Sequence, residues 1–154
     1  MSTNHSFIEQ SITIKSPPSV VFKALTEANE LRRWFPTRAE SDPHPGGKYK
    51  FAWEFANASE NGSQEGEYVE VVQNEKLSYT WSADSAPTLV TFVLAEKNGD
   101  TTVKLKHSTA QDGVDEKKLH DDHANQWGFF LNNLKGYLEQ GLDLRNEMLK
   151  QITN

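Results

Sequence analysis

The eight residues KYKFAWEF, positions 48–55, decide the fold of this chain. Successive side chains of a strand point to opposite faces, so one face of this segment carries only aromatic rings and the other carries charges. The aromatic positions are Tyr49, Phe51, Trp53 and Phe55, and the charged ones are Lys48, Lys50 and Glu54. The stretch therefore predicts a strand that buries an aromatic face.

Turn signals recur every several residues on both sides of this strand. They are Pro45-Gly46-Gly47, Asn61-Gly62, Gln73-Asn74, the segment from Asp84 to Pro87, and Asn98-Gly99. This rhythm is typical of consecutive hairpins, because strands separated by crossover helices need longer connections. We expect an antiparallel sheet.

The same period of two selects further inward positions on three later strands. They are Leu77, Tyr79 and Trp81, then Val90, Phe92 and Leu94, then Val103, Leu105 and His107. His107 is therefore expected on an inward face, where it must find a hydrogen-bond partner such as the Tyr79 hydroxyl.

A first strand is predicted from Phe7 to Ile14, and two short helices are predicted between it and the later strands. Ser16 offers an N-cap, Pro17 and Pro18 suit a first helical turn, and ELRRWF at 30–35 suggests the second helix.

A long amphipathic helix should follow the last strand and end near Gln140, where Gly141 stops it. Centring its apolar stripe on Trp127 gathers one set of side chains on the inward face. They are His120, His123, Phe130, Leu131, Leu134 and Leu138. Phe129 projects to the polar side, so we expect the C-terminal tail to cover it, with a second copy of the chain as the alternative.

The order and spacing of short motifs resemble those of the bacterial family homologous to the activator of heat-shock protein 90 ATPase, within the START-like (SRPBCC, polyketide cyclase) superfamily. The motifs are Ile14 with Pro17, Val21-Phe22-x-Ala24-Leu25-Thr26, Leu31-x-x-Trp34-Phe35, Gly46-Gly47, 66–71, Trp81, 90–92, Gly99-x-Thr101-x-Val103-x-Leu105-x-His107, and Gln126-Trp127 with Leu131, Leu134 and Leu138. The resemblance covers about residues 8–139 and implies an α+β helix-grip fold, in which a curved antiparallel sheet wraps around the C-terminal helix. It also implies one START-like domain over 1–154, with 141–154 as a C-terminal extension.

Composition excludes several partners. The net charge of −6 opposes binding to nucleic acid, and the absence of cysteine removes thiol nucleophiles and thiolate metal sites. No stretch is long and apolar enough to span a bilayer, and the opening MSTNHSFIEQ lacks the pattern of a signal peptide. We expect a cytoplasmic protein that is a monomer, with a homodimer as the alternative.

The inward set is unusually aromatic, which favours a site for a small apolar ligand between sheet and helix, since such pockets are largely apolar with a few polar tips. The predicted ligand-binding residues are Trp34, Phe35, Trp53, Phe55, Tyr79, Trp81, Phe92, His107, His123, Trp127 and Phe130. Of these, Trp34 and Phe35 are expected to cover one end of the site.

Catalytic candidates are few. His107 alone, or with Glu70 if that carboxylate faces inward, could act as a general base. Periodicity leaves the direction of Glu70 open. His120 and His123 share a helix face, but no third ligand completes a metal site of known spacing, so we predict neither metal nor cofactor.

Family members are described as cavity binders, as a few cyclases and hydrolases, and as one branch that activates a chaperone ATPase. Three classes of function therefore remain, in this order: a binder of a lipid-like or polyketide-like molecule without covalent chemistry, a cofactor-free cyclase or hydrolase that uses the same cavity, and an interaction module resembling the chaperone ATPase activator.

Overall fold

The computed structural model describes residues 5–54, 62–83, 86–109 and 116–145. Its elements, in chain order, are β1 His5–Ile14, α1 Pro18–Thr26, α2 Ala28–Leu31, β2 Arg38–Ser41, β3 Lys48–Trp53, β4 Gly62–Val72, β5 Lys76–Ala83, β6 Ala86–Lys97, β7 Asp100–Thr109 and α3 Glu116–Gln140. Among these residues, no helix is both long and apolar enough to cross a membrane.

All seven strands form one antiparallel sheet in the order β1-β7-β6-β5-β4-β3-β2. Hairpins join β3 through β7 in sequence, as the turn signals predict, and the residues after three of the strands adopt the positive φ that such turns need. Gly46, Asn74 and the pair Asn98-Gly99 have φ of 86°, 65°, 56° and 85°. The curved sheet packs against the long helix α3, so the predicted helix-grip architecture is confirmed.

The period-two prediction of the buried face also holds. Leu77, Tyr79, Val90, Phe92, Leu94, Val103, Leu105 and His107 are all buried, and Tyr49 and Phe51 join them from β3. Lys48, Lys50 and Glu54 are exposed. Phe55 lies outside the described residues.

A β-bulge settles the direction of Glu70. The register between β4 and β5 shifts between Tyr68 and Glu70, which adds one residue to β4. Tyr68 is consequently buried, Val71 packs on the core, and Glu70 points away from it. Simple alternation cannot show this, because the bulge changes the phase of the strand.

Both short helices begin elsewhere than predicted. Helix α1 starts at Pro18 and its N-cap is Pro17, whose side chain cannot accept a hydrogen bond, so Ser16 is not the cap. The Ser16 carbonyl instead accepts a hydrogen bond from Thr101 Oγ1 at 2.7 Å. Helix α2 ends at Leu31, and Trp34 and Phe35 therefore lie in the turns that follow it.

Helix α3 ends as predicted, with Gly141 at φ 67°. Trp127, Leu131 and Leu134 are buried, and His123, Phe130 and Leu138 are partly buried. The prediction for His120 is wrong: its side chain is exposed and lies beside Asp121, whereas the neighbouring Leu119 of the same turn is buried. Phe129 is partly buried against Phe130, at 5.2 Å between ring centroids, and most of the tail expected to cover it lies outside the described residues.

Candidate functional site

Phe35 lies at the centre of a cluster of aromatic side chains between the sheet and α3. Its ring is 2% exposed. Six other rings have centroids within 6.3 Å of it: Trp34, Phe51, Trp53, Trp81, Trp127 and Phe130. The sequence places Phe35 at one end of the site, whereas the structure shows that it fills the middle.

The cluster has a buried part and an accessible edge. Trp34, Tyr79, Phe92 and Trp127 are at most 3% exposed, so they serve as core in this conformation. Trp53, Trp81 and Phe130 are only partly buried, and each contacts Phe35, at 5.2, 6.3 and 4.9 Å between centroids. We term these three residues the aromatic rim.

Two positions on the inward face of strand β4, between β3 and β5, carry no side chain. Gly62 pairs with Trp53, and Gly66 pairs with Tyr49, so both glycines lie on the inward face. A Cβ on Gly66 would come within 2.8 Å of the Tyr49 ring and the Thr80 carbonyl oxygen. The Trp53 and Trp81 rings, on the two strands that flank β4, lie 6.2 Å apart between centroids.

His107 is held in one tautomer by its neighbours. Trp127 Nε1, which can only donate, points at His107 Nδ1 at 3.2 Å, so that nitrogen carries the lone pair. The proton is then on Nε2, which donates to Thr88 Oγ1 at 2.8 Å, and the Thr88 hydroxyl donates to the Trp81 carbonyl at 2.6 Å. Both ring nitrogens are thereby occupied, by partners other than the expected Tyr79.

Burial, reinforced by the nearby His123, lowers the pKa of His107 to about 3. The side chain has no exposed surface, and its ring centroid lies 5.5 Å from that of His123. A neutral imidazole without a free lone pair orients Trp127 and is poorly suited to accept a proton from a substrate.

The other candidates for polar chemistry have partners elsewhere. The Glu70 carboxylate is 46% exposed and forms an ion pair with Lys76 at 3.1 Å on the outer face, so it is not a partner of His107. His123 Nδ1 donates to the Leu119 carbonyl of its own helix at 2.9 Å. Within the described ranges, no three His, Asp or Glu side chains are grouped so that they could hold a metal ion.

A buried polar network anchors the opposite side of Phe35, and sequence reasoning missed it. Arg145 is 2% exposed and uses all five of its N–H groups. Nη1 donates to the carbonyls of Phe35 and Pro36 at 3.1 and 3.0 Å, Nη2 to the Arg32 carbonyl at 2.7 Å, and Nε and Nη2 to the Asp143 carboxylate. An arginine beyond the end of a predicted helix carries no sequence signal for such a role.

Asn133 extends this network. It is fully buried on α3, donates to the Trp34 carbonyl at 2.8 Å and to Asp143 at 3.0 Å, and accepts from the Leu144 amide at 2.6 Å. Burial raises the pKa of Asp143, but the bonds from Arg145 and Asn133 outweigh it and hold the pKa below its usual value. We term Asn133, Asp143 and Arg145 the polar clamp.

Known structures share this architecture. The Aha1 dimer from Colwellia psychrerythraea is 23% identical, with a TM-score of 0.71, over 90% of this chain and 98% of that one. DynU16, a protein in the dynemicin biosynthetic locus, is 20% identical, with a TM-score of 0.72, over 87% of this chain and 47% of that one. CalU16 from Micromonospora echinospora is 18% identical, with a TM-score of 0.67, over 92% of this chain and 87% of that one. At these identities the likeness establishes the fold.

No protein with curated function matches the chain. The family described as "Activator of Hsp90 ATPase homolog 1-like protein" matches residues 15–139, which is most of the sequence and agrees with the span of the motifs. The chain therefore belongs to this family.

Proposed function

We propose that this protein binds a small apolar or aromatic molecule, without covalent chemistry, beside the aromatic rim. The observation that carries the proposal is the arrangement of Trp53, Trp81 and Phe130, three partly accessible rings around the buried ring of Phe35. An apolar concavity with few polar groups is the usual form of a small-molecule site.

Most of the remaining predicted ligand residues are buried and pack around the rim and Phe35. Tyr79 and Trp127 are buried and contact the Trp81 ring, at 6.2 and 5.4 Å between centroids. Phe92 packs against both of them, and His107 accepts a hydrogen bond from Trp127. Trp34 and His123 lie at the margins, with Trp34 stacked on Phe35 at 5.1 Å. In this proposal they position the binding surface, while the rim contacts the ligand.

The geometry favours binding over catalysis. A general base in this cavity would need a free lone pair, and His107 has both nitrogens engaged, while Glu70 lies on the outer face. DynU16, which shares this fold, is a protein in a biosynthetic locus, and this supports a metabolite as the proposed ligand. No feature of the described residues favours the chaperone-activating alternative. The proposal includes a cofactor-free, cytoplasmic monomer, which rests on the sequence alone.

The test measures binding of a panel of fatty acids, flavonoids and fused-ring aromatics by tryptophan fluorescence and by the shift in thermal midpoint, which rises when a ligand binds the folded state. Replacing Trp81 with Leu should weaken the best ligand by about tenfold, equivalent to about 1.4 kcal/mol of lost aromatic contact. The control, Glu70→Gln on the outer face, should leave affinity unchanged. If no member of the panel changes either signal, the proposal is wrong.

A further inference from the structure

We infer that the ligand carries a hydrogen-bond acceptor, which the indole N–H of Trp53 binds. This inference rests on the proposed binding function and specifies the ligand that the rim would select. Among the described residues, Trp53 Nε1 is the one buried side-chain nitrogen or oxygen that has no hydrogen-bond partner. Buried polar groups are nearly always paired, so an unpaired donor at a proposed binding site calls for an explanation.

Comparison with two other indoles shows that this chain pairs its buried tryptophans. Trp34 Nε1 donates to the Ala24 carbonyl at 2.8 Å, and Trp127 Nε1 donates to His107 at 3.2 Å. Both of those side chains belong to the buried part of the cluster. The unpaired N–H belongs to the rim, where a ligand would sit.

The surroundings of Trp53 are aromatic. Its ring contacts Phe35, Phe51 and Trp81 at 5.2, 6.3 and 6.2 Å between centroids. Burial of a charged carboxylate among rings would cost far more than one hydrogen bond returns, whereas a neutral oxygen needs only one donor. We therefore assign the acceptor to a neutral oxygen, such as a ketone carbonyl, on a largely apolar molecule.

Two flat probes of the same shape separate this inference from the proposed function. Fluorenone carries one ketone oxygen, and fluorene has the same ring system without an acceptor. Calorimetric titration of both probes is compared between the parent protein and Trp53→Phe, which keeps an aromatic ring and removes the donor. Trp81→Phe is the matched control, because it removes the same indole from the neighbouring rim position.

We expect Trp53→Phe to weaken fluorenone about fivefold more than fluorene, the effect of losing one net hydrogen bond. Trp81→Phe should weaken the two probes equally. In the ¹H–¹⁵N spectrum of the parent protein, the resonance of the Trp53 indole proton should shift downfield more with fluorenone than with fluorene. The resonance of the Trp34 indole proton should not shift with either probe. This spectrum decides the question even if Trp53→Phe does not fold.

Equal responses to the two probes, with no ketone-specific shift of the Trp53 indole, would overturn the inference and leave the proposed function standing. If the parent protein binds none of fluorenone, fluorene and the panel ligands, both the proposed function and this inference are wrong.

Discussion

The two sides of Phe35 differ in how completely their polar groups are paired. On the side of its backbone, the polar clamp satisfies every N–H of Arg145 and anchors the carbonyls of Arg32, Phe35 and Pro36. On the side of its ring, the aromatic rim is partly open and holds an unpaired indole N–H. A paired, buried network stabilises one arrangement of the chain, whereas a partly buried apolar edge that contains an unpaired, buried donor can still gain free energy from a ligand.

From this difference we infer that the clamp stabilises the fold, while the rim contacts the ligand in the proposed function. Phe35 links the two, because its carbonyl accepts a hydrogen bond from Arg145 of the clamp and its ring contacts Trp53 of the rim. Substitutions in the clamp should therefore lower the free energy of unfolding strongly. Substitutions in the rim should change ligand affinity more than stability.

The largest effect is expected at Arg145. Replacing it with Met removes one partner of a buried ion pair and leaves three carbonyls without their donor, which should lower the free energy of unfolding by about 3–5 kcal/mol. Urea denaturation measures this loss. Arg33→Met is the control, because Arg33 is 63% exposed in its pair with Glu30 and should cost less than about 1 kcal/mol. Equal losses in the two variants would mean that the clamp does not stabilise the fold.

A smaller effect is expected from pH, through His107. Its folded-state pKa of about 3 lies below the ordinary value of 6.5, so the folded chain keeps the imidazole neutral where the unfolded chain binds a proton. The stability it contributes is present above pH 6.5 and is lost as the pH falls toward 3, at about 1.4 kcal/mol per pH unit.

The check compares the parent with His107→Gln by urea denaturation at about pH 6.5 and about pH 4.5, where the parent should lose about 2–3 kcal/mol more than the variant. Asp143 and the other carboxylates titrate in both proteins, so their effects cancel in the difference. Parallel pH profiles for the two proteins would show that His107 is not held neutral by the fold.

The smallest effect is expected at Glu70. Glu70→Gln removes an ion pair with Lys76 whose side chains are 46% and 41% exposed, so the free energy of unfolding should change by less than about 1 kcal/mol. Affinity for any rim ligand should not change, because the carboxylate lies on the outer face. A tenfold change in affinity would place Glu70 in the binding site and contradict the β4 register.

Much of the fold could be predicted because it depends on local patterns. The alternation of Tyr49 and Phe51, the period-two positions up to His107, and the stop at Gly141 all reflect geometry that a strand or helix imposes on neighbouring residues. The same alternation brought most of the candidate aromatic residues to one face, which is why the aromatic cluster could be anticipated from sequence.

The rest required the tertiary structure, for identifiable reasons. The bulge after Tyr68 shifted the phase of β4 and turned Glu70 outward, and Pro17 took the N-cap expected of Ser16. The two ring nitrogens of His107 found partners 19 and 20 residues away, on β6 and α3, where Tyr79 had been expected.

The sequence by itself determined that aromatic rings would gather between a sheet and a helix, because periodicity fixes the face on which each ring lies. Only the tertiary structure decided how those rings pack and which of their polar groups are paired. It placed Phe35 in the middle rather than at one end, brought Arg145 back across more than 100 residues to hold the Phe35 carbonyl, and left the Trp53 donor unpaired. The physical reason is that such contacts depend on how separate elements meet in space, which no local period records.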